Sequence, residues 1–565
     1  MRGYTMGNLH DYLEFDMNAY EYEFTQLLQG FESSMSYKEQ LKYFEKLNRN
    51  RIKFEATLNF ATLQHYRDLG NEQCKDIYLS FTKLEPRYLL LVTNYYNALL
   101  NATYRKEIEQ LYGKQLFRLA EIKQSSYSSE VEADLHIEKQ LLLQYHQLRA
   151  SANFYFNGTT HNLSSITPYL TNKDRDLRKQ AYEAKSKFYK ENEEVFDQIL
   201  DDLVKTRHTI AIKLGYSSFV ELGYHRMNRT SHHSDDLRNY RNQVKTVGIP
   251  FISRLRKMQL QRLRVKELKY YDENVLFPNG LPKPKGTNEE MMSSLLRMFT
   301  ELSPDTKEFF EYMIRRNLID TESRKNKASG NFATFIGKET SPFIFTNFHG
   351  TSNDIRVFTH EAGHAFQFYM SRHWSVPEFI LPYDSCEVFS FTMERFTWPW
   401  MELFFGEETK LYQFSHLTNA FMFMPLASVI DEFEHFLYES PAASISDRKK
   451  VWRQLEEEYL PDRDYHDNEF LKRGTAFYEI AHLFTSPFYF MDYDLAHFVS
   501  VQLWERAQSN PSEALDCYLD MCKRGGSHSF HEHISAANLF SPFEEGSLKR
   551  VISSVETWIK NNSDH

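Results

Sequence analysis

The chain has 565 residues, 41% of them hydrophobic and 25% charged, the balance of a soluble protein able to bury a substantial core. Its formal net charge of -10 argues against a nucleic-acid binder, which normally carries a basic face. Four cysteines, Cys74, Cys386, Cys517 and Cys522, form no CxxC pair and fit a reducing compartment better than a disulfide framework.

The N-terminal stretch MRGYTMGNLHDYLEFDMNAYEYEF has no apolar run long enough for a secretory signal. The longest strongly apolar stretch, Asn419 to Ile430, is too short to span a bilayer. The expectation is a cytoplasmic protein without a membrane or nucleic-acid partner. Glycine (20) and proline (17) are sparse for the length, which predicts a helix-rich fold.

From about Asn18 to Tyr270, apolar residues return every three or four positions among charged ones, the pattern of long amphipathic helices. Asp174 to Tyr189 repeats it, with aspartate in the first turn suiting the helix dipole. Asp272 to Gly286, with three prolines and two glycines, cannot continue a helix. It suggests a lobe over 1–270, a linker over 271–290 and a second lobe over 291–565, the two lobes forming one integrated unit. Helix resumes to about Asn317. Phe332 to Ile336 and Phe343 to Phe348 are β-branched and aromatic runs separated by Gly337-Lys338 and Pro342, which reads as a small strand pair.

The next segment carries His360-Glu361-Ala362-Gly363-His364. Asn353 or Asp354 can cap a helix here, and Ile355, Val357, Phe358, Ala362, Ala365, Phe366 and Tyr369 give it an apolar stripe. Four apart on a helix, His360 and His364 project from one face and can take two corners of a zinc tetrahedron. Glu361 then lies beside the metal, where it can accept a proton from bound water. A catalytic zinc needs a third protein ligand. Downstream, Glu387 and Glu394 are two helical turns apart among aromatic residues, and Ser390 shares their face. A helix antiparallel to the motif helix would bring Glu387 to the metal. Glu394 would then orient a ligand histidine through its other ring nitrogen. Cys386 is a competing thiolate, but the carboxylate beside it is the better ligand.

The stretches TNFHGTSNDIRVFTHEAGHAFQFYMSR and SCEVFSFTME resemble the thimet oligopeptidase and oligoendopeptidase F family, most of all its Pz-peptidase branch. DRDLRKQAYEA, IAIKLGYSSFVELGYHRMNR (Ile210 to Arg229) and LFSPFEEGSLKRV (Leu539 to Val551) extend the resemblance over nearly the whole chain. It implies a mainly α, elongated, two-lobed body enclosing a deep substrate channel, with a small β-sheet beside the zinc-binding helix. It implies one zinc ion per chain held by His360, His364 and Glu387, with Glu361 as general base. Its substrates would be short, unstructured peptides. The family also has a histidine followed by tyrosines that bind substrate and stabilise the oxyanion; here these are His482, Tyr489 and Tyr493, at i, i+7 and i+11 on one expected helical face. Pro487 stands where the thimet branch has a glycine-rich segment. The strand Phe343, Ile344, Phe345, Thr346, Asn347, Phe348 would be an edge that pairs with extended substrate. The rival readings are a non-catalytic peptide-binding protein of the same fold and a structural zinc protein.

Overall fold

A computed structural model describes residues 15–337 and 340–562. Part of the N-terminal stretch considered for a signal, residues 1–14, lies outside them, as does Lys338 of the strand-pair turn. The protein is mostly helical. The periodicity before Tyr270 resolves into long helices, among them Tyr37–Arg67, Glu72–Leu100 and Glu193–Lys213. Their starts follow short polar side chains: Asn71 accepts from the Cys74 amide, and Asp174 from those of Asp176 and Leu177. The apolar stretch at 419–430 lies inside the 31-residue helix Thr409–Glu439. Among the described residues, no helix is long and apolar enough to cross a membrane.

Between Leu263 and Asn288 the only regular element is the single turn Tyr270–Asp272. Both sides of this segment supply one hydrophobic core, which runs from Phe60 to Ile559 in sequence and includes Leu276 and Phe277. A second core gathers residues between Met17 and Ile122 and takes in Val376 and Phe379. Those two come from the connection that follows the motif helix, so the N-terminal helices brace that connection directly. The Arg51 guanidinium donates to Glu378 in the same place.

A small hairpin, Phe154–Phe156 with Thr159–His161, was not anticipated. Its signal is Asn157-Gly158, both with positive φ (50° and 78°), the conformation a two-residue turn between twisted strands requires.

The second sheet corrects an expectation. Its order is Ile319–Asp320, Ser341–Phe345, Phe332–Ile336. The run Phe343 to Phe348 is therefore not an edge. Phe343 and Phe345 pair with the Phe332–Ile336 strand. On the other side, the amides of Ile344, Thr346 and Phe348 donate to the carbonyls of Leu318, Asp320 and Thr321. All five residues of Ser341–Phe345 are buried. The two edges are the short Ile319–Asp320 and Phe332–Ile336. In the latter, Phe335 forms a non-hydrogen-bonded pair with Pro342, so its carbonyl points to the outer side, where it accepts from Asn59 of the helix Tyr37–Arg67 at 3.1 Å. By the two-residue alternation of a strand, Ala333 turns its N–H and C=O to the same outer side.

Candidate active site

The motif helix spans Ser352–Ser371. Its cap is Thr351, two and three positions before the expected Asn353 and Asp354, and Asp354 completes the capping arrangement. The Asp354 carboxylate accepts from the amides of His349, Gly350 and Thr351 and from the Thr351 hydroxyl. The following helix, Cys386–Phe396, is buried along its whole length. Contacts between the two run in opposite senses. His360 meets Glu394, Gly363 meets Ser390, and His364 meets Glu387, so the helices are antiparallel.

Their approach depends on Gly363. A Cβ there would fall 2.6 Å from the Ser390 Cα and 2.7 Å from the Phe389 carbonyl oxygen. With only hydrogen at that position, Glu387 Oε2 comes within 3.2 Å of His360 Nε2 and 3.5 Å of His364 Nε2. The three ligand atoms lie within 4.8 Å of one another, a group able to hold a metal ion. The two distances to Glu387 match the edge of about 3.4 Å expected for a tetrahedron with metal–ligand bonds near 2.1 Å. The donor set, two imidazoles and a carboxylate, suits zinc. Cys386, the competing thiol, is not part of this group: its sulfur lies 3.4 Å from both the Tyr383 carbonyl and the Tyr489 hydroxyl and donates to Glu387 Oε1 at 4.0 Å.

The surroundings hold these groups in place. Glu394 Oε1 accepts from His360 Nδ1 at 2.7 Å, which leaves Nε2 as the nitrogen free to coordinate. Ser390 Oγ donates to Glu387 Oε2 at 2.9 Å, and the Tyr489 hydroxyl donates to Oε1. His416, on the helix Thr409–Glu439, was not anticipated. Trp398 Nε1–H donates to its Nδ1 at 2.8 Å, so Nε2 carries the proton and donates to Glu394 Oε2 at 2.5 Å. Nothing in the local spacing marks His416, because it reaches the site from a helix remote from both motifs.

The electrostatics favour a cation. Burial alone would lower the His360 pKa, but hydrogen bonds to Glu387 and Glu394 push it up to about 10. Burial alone would raise Glu387 and Glu394, but the neighbouring imidazoles hold both well below the usual carboxylate range. Glu361 is buried beside this group, and burial raises its carboxyl, the direction a base working near neutrality needs.

His482, Tyr489 and Tyr493 converge, but not on one helical face. His482 lies on the short helix Ala481–Thr485, the helix is interrupted, and Phe490–Ser509 carries Tyr493, with Tyr489 as its cap residue. Pro487, which cannot continue a helix, falls within the break, and Phe488 has φ of 70°. The rings still cluster, with centroids 6.0 Å apart for His482–Tyr489, 5.7 Å for His482–Tyr493 and 5.2 Å for Tyr489–Tyr493. Burial lowers the His482 pKa to about 4 and raises both phenols, so all three are neutral near pH 7.

A family model described as peptidase family M3 matches residues 169–551, and one for the peptidase M3 N-terminal domain matches residues 10–127. The chain belongs to peptidase family M3. A solved structure described as Pz peptidase A with an inhibitor is 42% identical, with a TM-score of 0.93 over 97% of this chain and 99% of that one. The structure of a putative oligoendopeptidase F from Bacillus anthracis is also 42% identical, with a TM-score of 0.88 over 97% and 96%. An oligoendopeptidase F homologue from Borreliella burgdorferi is 24% identical over 86% of this M3 chain and 87% of its own length.

Proposed function

We propose that this M3 chain is a zinc-dependent endopeptidase that cuts short, unstructured peptides. The observation that carries the reading is the convergence of His360 Nε2, His364 Nε2 and Glu387 Oε2, with Glu361 buried beside them. These three residues would hold one zinc ion, which when bound supplies a Lewis acid and lowers the pKa of the attacking water.

The chain's own groups do the rest. Glu361 accepts the proton of the attacking water and later delivers it to the leaving nitrogen. Glu394 keeps His360 oriented, and His416 keeps Glu394 oriented. Tyr493, Tyr489 and His482 form a neutral donor group beside the reacting centre. A phenol kept protonated by burial can donate to the oxygen of the scissile carbonyl as charge develops on it, without bringing a competing charge. The partly exposed start of the edge strand, Phe332–Thr334, with Ala333 turned outward, replaces Phe343–Phe348 as the strand on which an extended peptide would align. A deep channel between two lobes, as the family resemblance implies, would restrict the substrates to short peptides.

The test is Glu361→Gln. It removes the base and no ligand, so the variant should keep its metal and lose turnover of a mixed peptide library. Full turnover by a folded, metal-loaded Glu361→Gln protein would sink the reading. Peptide binding without cleavage by the wild-type chain would instead identify a non-catalytic binding protein.

A further inference from the structure

The segment Ile210–Arg229 carries family-like sequence yet supplies no group to the metal centre. Its Gly223 and Arg229 meet the break between the His482 helix and the Tyr489–Tyr493 helix. Phe488, inside that break, has a left-handed backbone (φ 70°) and a fully buried side chain. Such a conformation is costly for a bulky residue and persists only where the surroundings impose it.

The surroundings here do so from every side. The ring of Phe488 lies among Tyr224, His435, Tyr438 and Phe219, at 5.2, 5.2, 5.7 and 6.5 Å between centroids. Gly223 leaves the room: a Cβ there would fall 2.6 Å and 2.7 Å from two atoms of the ring. The Phe488 amide donates to Glu434 Oε2 at 2.9 Å. Its carbonyl accepts from Arg229 Nη2 at 2.5 Å, and the same nitrogen donates to Asp492 Oδ1 at 2.6 Å. One buried guanidinium thus ties the residue before Tyr489 to the residue before Tyr493. At the other end of the break, buried Arg207 donates to the Phe484 carbonyl at 2.6 Å.

We infer that Gly223, Arg229 and Phe488 form a clamp that sets the positions of Tyr489 and Tyr493 against the metal centre, making them positioning residues for peptide hydrolysis. The inference rests on the proposed function for its catalytic consequence, but its geometric content does not. The rings of His482, Tyr489 and Tyr493 meet across an interruption of the helix, bridged locally by single turns such as Tyr489 N–H to the Ser486 carbonyl at 3.2 Å, which do not by themselves fix the ring positions. The clamp fixes them from a different part of the chain.

Gly223→Ala isolates the effect. Alanine favours a helix over glycine by about 1 kcal/mol, so within the helix Phe219–Arg226 the change is locally favourable. Its main cost is the collision with Phe488, with a lesser crowding of Phe219 at 3.3 Å. The expected result is a kcat at least ten-fold lower, with the circular dichroism spectrum unchanged and metal affinity weakened no more than in Tyr489→Phe. Gly223→Ala combined with Phe488→Leu, which shortens the colliding side chain, should recover most of that loss. Hydrogen exchange read by mass spectrometry gives a measure independent of turnover. Peptides over 481–493 should exchange at least ten-fold faster in Gly223→Ala, and those over 352–371 should not change. Should Gly223→Ala fail to fold, Arg229→Lys carries the same measurements, since it loses the simultaneous grip on Phe488 and Asp492. A folded variant with wild-type kcat and exchange, or a double variant without recovery, would overturn the clamp. A wild-type protein that cleaves no peptide would overturn the proposed function instead, and the exchange data would still judge the clamp.

Discussion

Gly363 sits so close to Ser390 that a single added carbon would fall 2.6 Å from the Ser390 Cα. The glycine inside the histidine motif is therefore what lets the second ligand-bearing helix approach. Gly363→Ala should force the helices apart, although alanine is the better helix former. We expect metal affinity to fall at least ten-fold, read by competition with a chelator, while helix content stays the same. Unchanged affinity would mean that the helices yield elsewhere.

The three candidate ligands should behave alike. His360→Ala, His364→Ala and Glu387→Ala each remove one of three donors and should each lower metal content and abolish peptide cleavage. Metal analysis of the purified variants checks this. One variant that keeps a full equivalent of zinc would remove that residue from the ligand set.

Glu394 and His416 should show a graded effect. Glu394→Gln removes the negative charge that holds His360 and should cost 10–100-fold in metal affinity or activity, the range usual for groups behind a metal ligand. His416→Ala leaves the carboxylate and removes one of its donors, so it should cost less than Glu394→Gln. The reverse order would show that His416 acts by another route.

The two tyrosines should separate. The Tyr489 hydroxyl donates to Glu387, so Tyr489→Phe should weaken metal binding. Tyr493→Phe should leave metal content alone and lower kcat by about 10²–10³, the cost of one lost oxyanion donor. Metal titration and steady-state kinetics on both variants decide the matter. If both keep normal kcat and normal metal affinity, the ring cluster is packing and nothing more.

Glu138 gives a prediction about acid stability. Burial alone would raise its carboxyl, but Arg226 and Arg207 outweigh that and bring the pKa down to about 2. An unfolded glutamate titrates near 4.3. The unfolded state therefore takes up the proton first as pH falls. The contribution of Glu138, about 3 kcal/mol, is complete above about pH 5 and lost as pH drops toward 2. Glu138→Gln should lower the denaturation midpoint at pH 7, and its curve should converge on wild type near pH 2. Parallel curves across that range would show that the carboxylate contributes no pH-dependent stability.

Much of this was legible in one dimension because it depends on local period. His360 and His364 share a helical face whatever surrounds them, since four residues make about one turn. The same holds for Glu387 and Glu394 on the next helix. The scarcity of glycine and proline, with the amphipathic spacing, was enough to predict a mainly helical chain. The strand at 332–336 announced itself by composition; its partner, expected at 343–348, runs over 341–345 and includes Pro342, which was read as a separator, and the hairpin at 154–161 could have been found from Asn157-Gly158.

Other features depend on contacts between distant segments, which local spacing does not record. Which strand lies at the sheet edge was decided by Leu318, Asp320 and Thr321, whose carbonyls occupy the far side of the strand expected to be open. His416 reaches Glu394 from a separate helix, and no spacing rule joins the two. The ring cluster of His482, Tyr489 and Tyr493 does not follow from i, i+7 and i+11, because the helix breaks between them. It follows from where Arg207, Arg229 and Glu434 hold the broken ends, since the hydrogen bonds of a strained turn must come from whatever side chains packing places beside it.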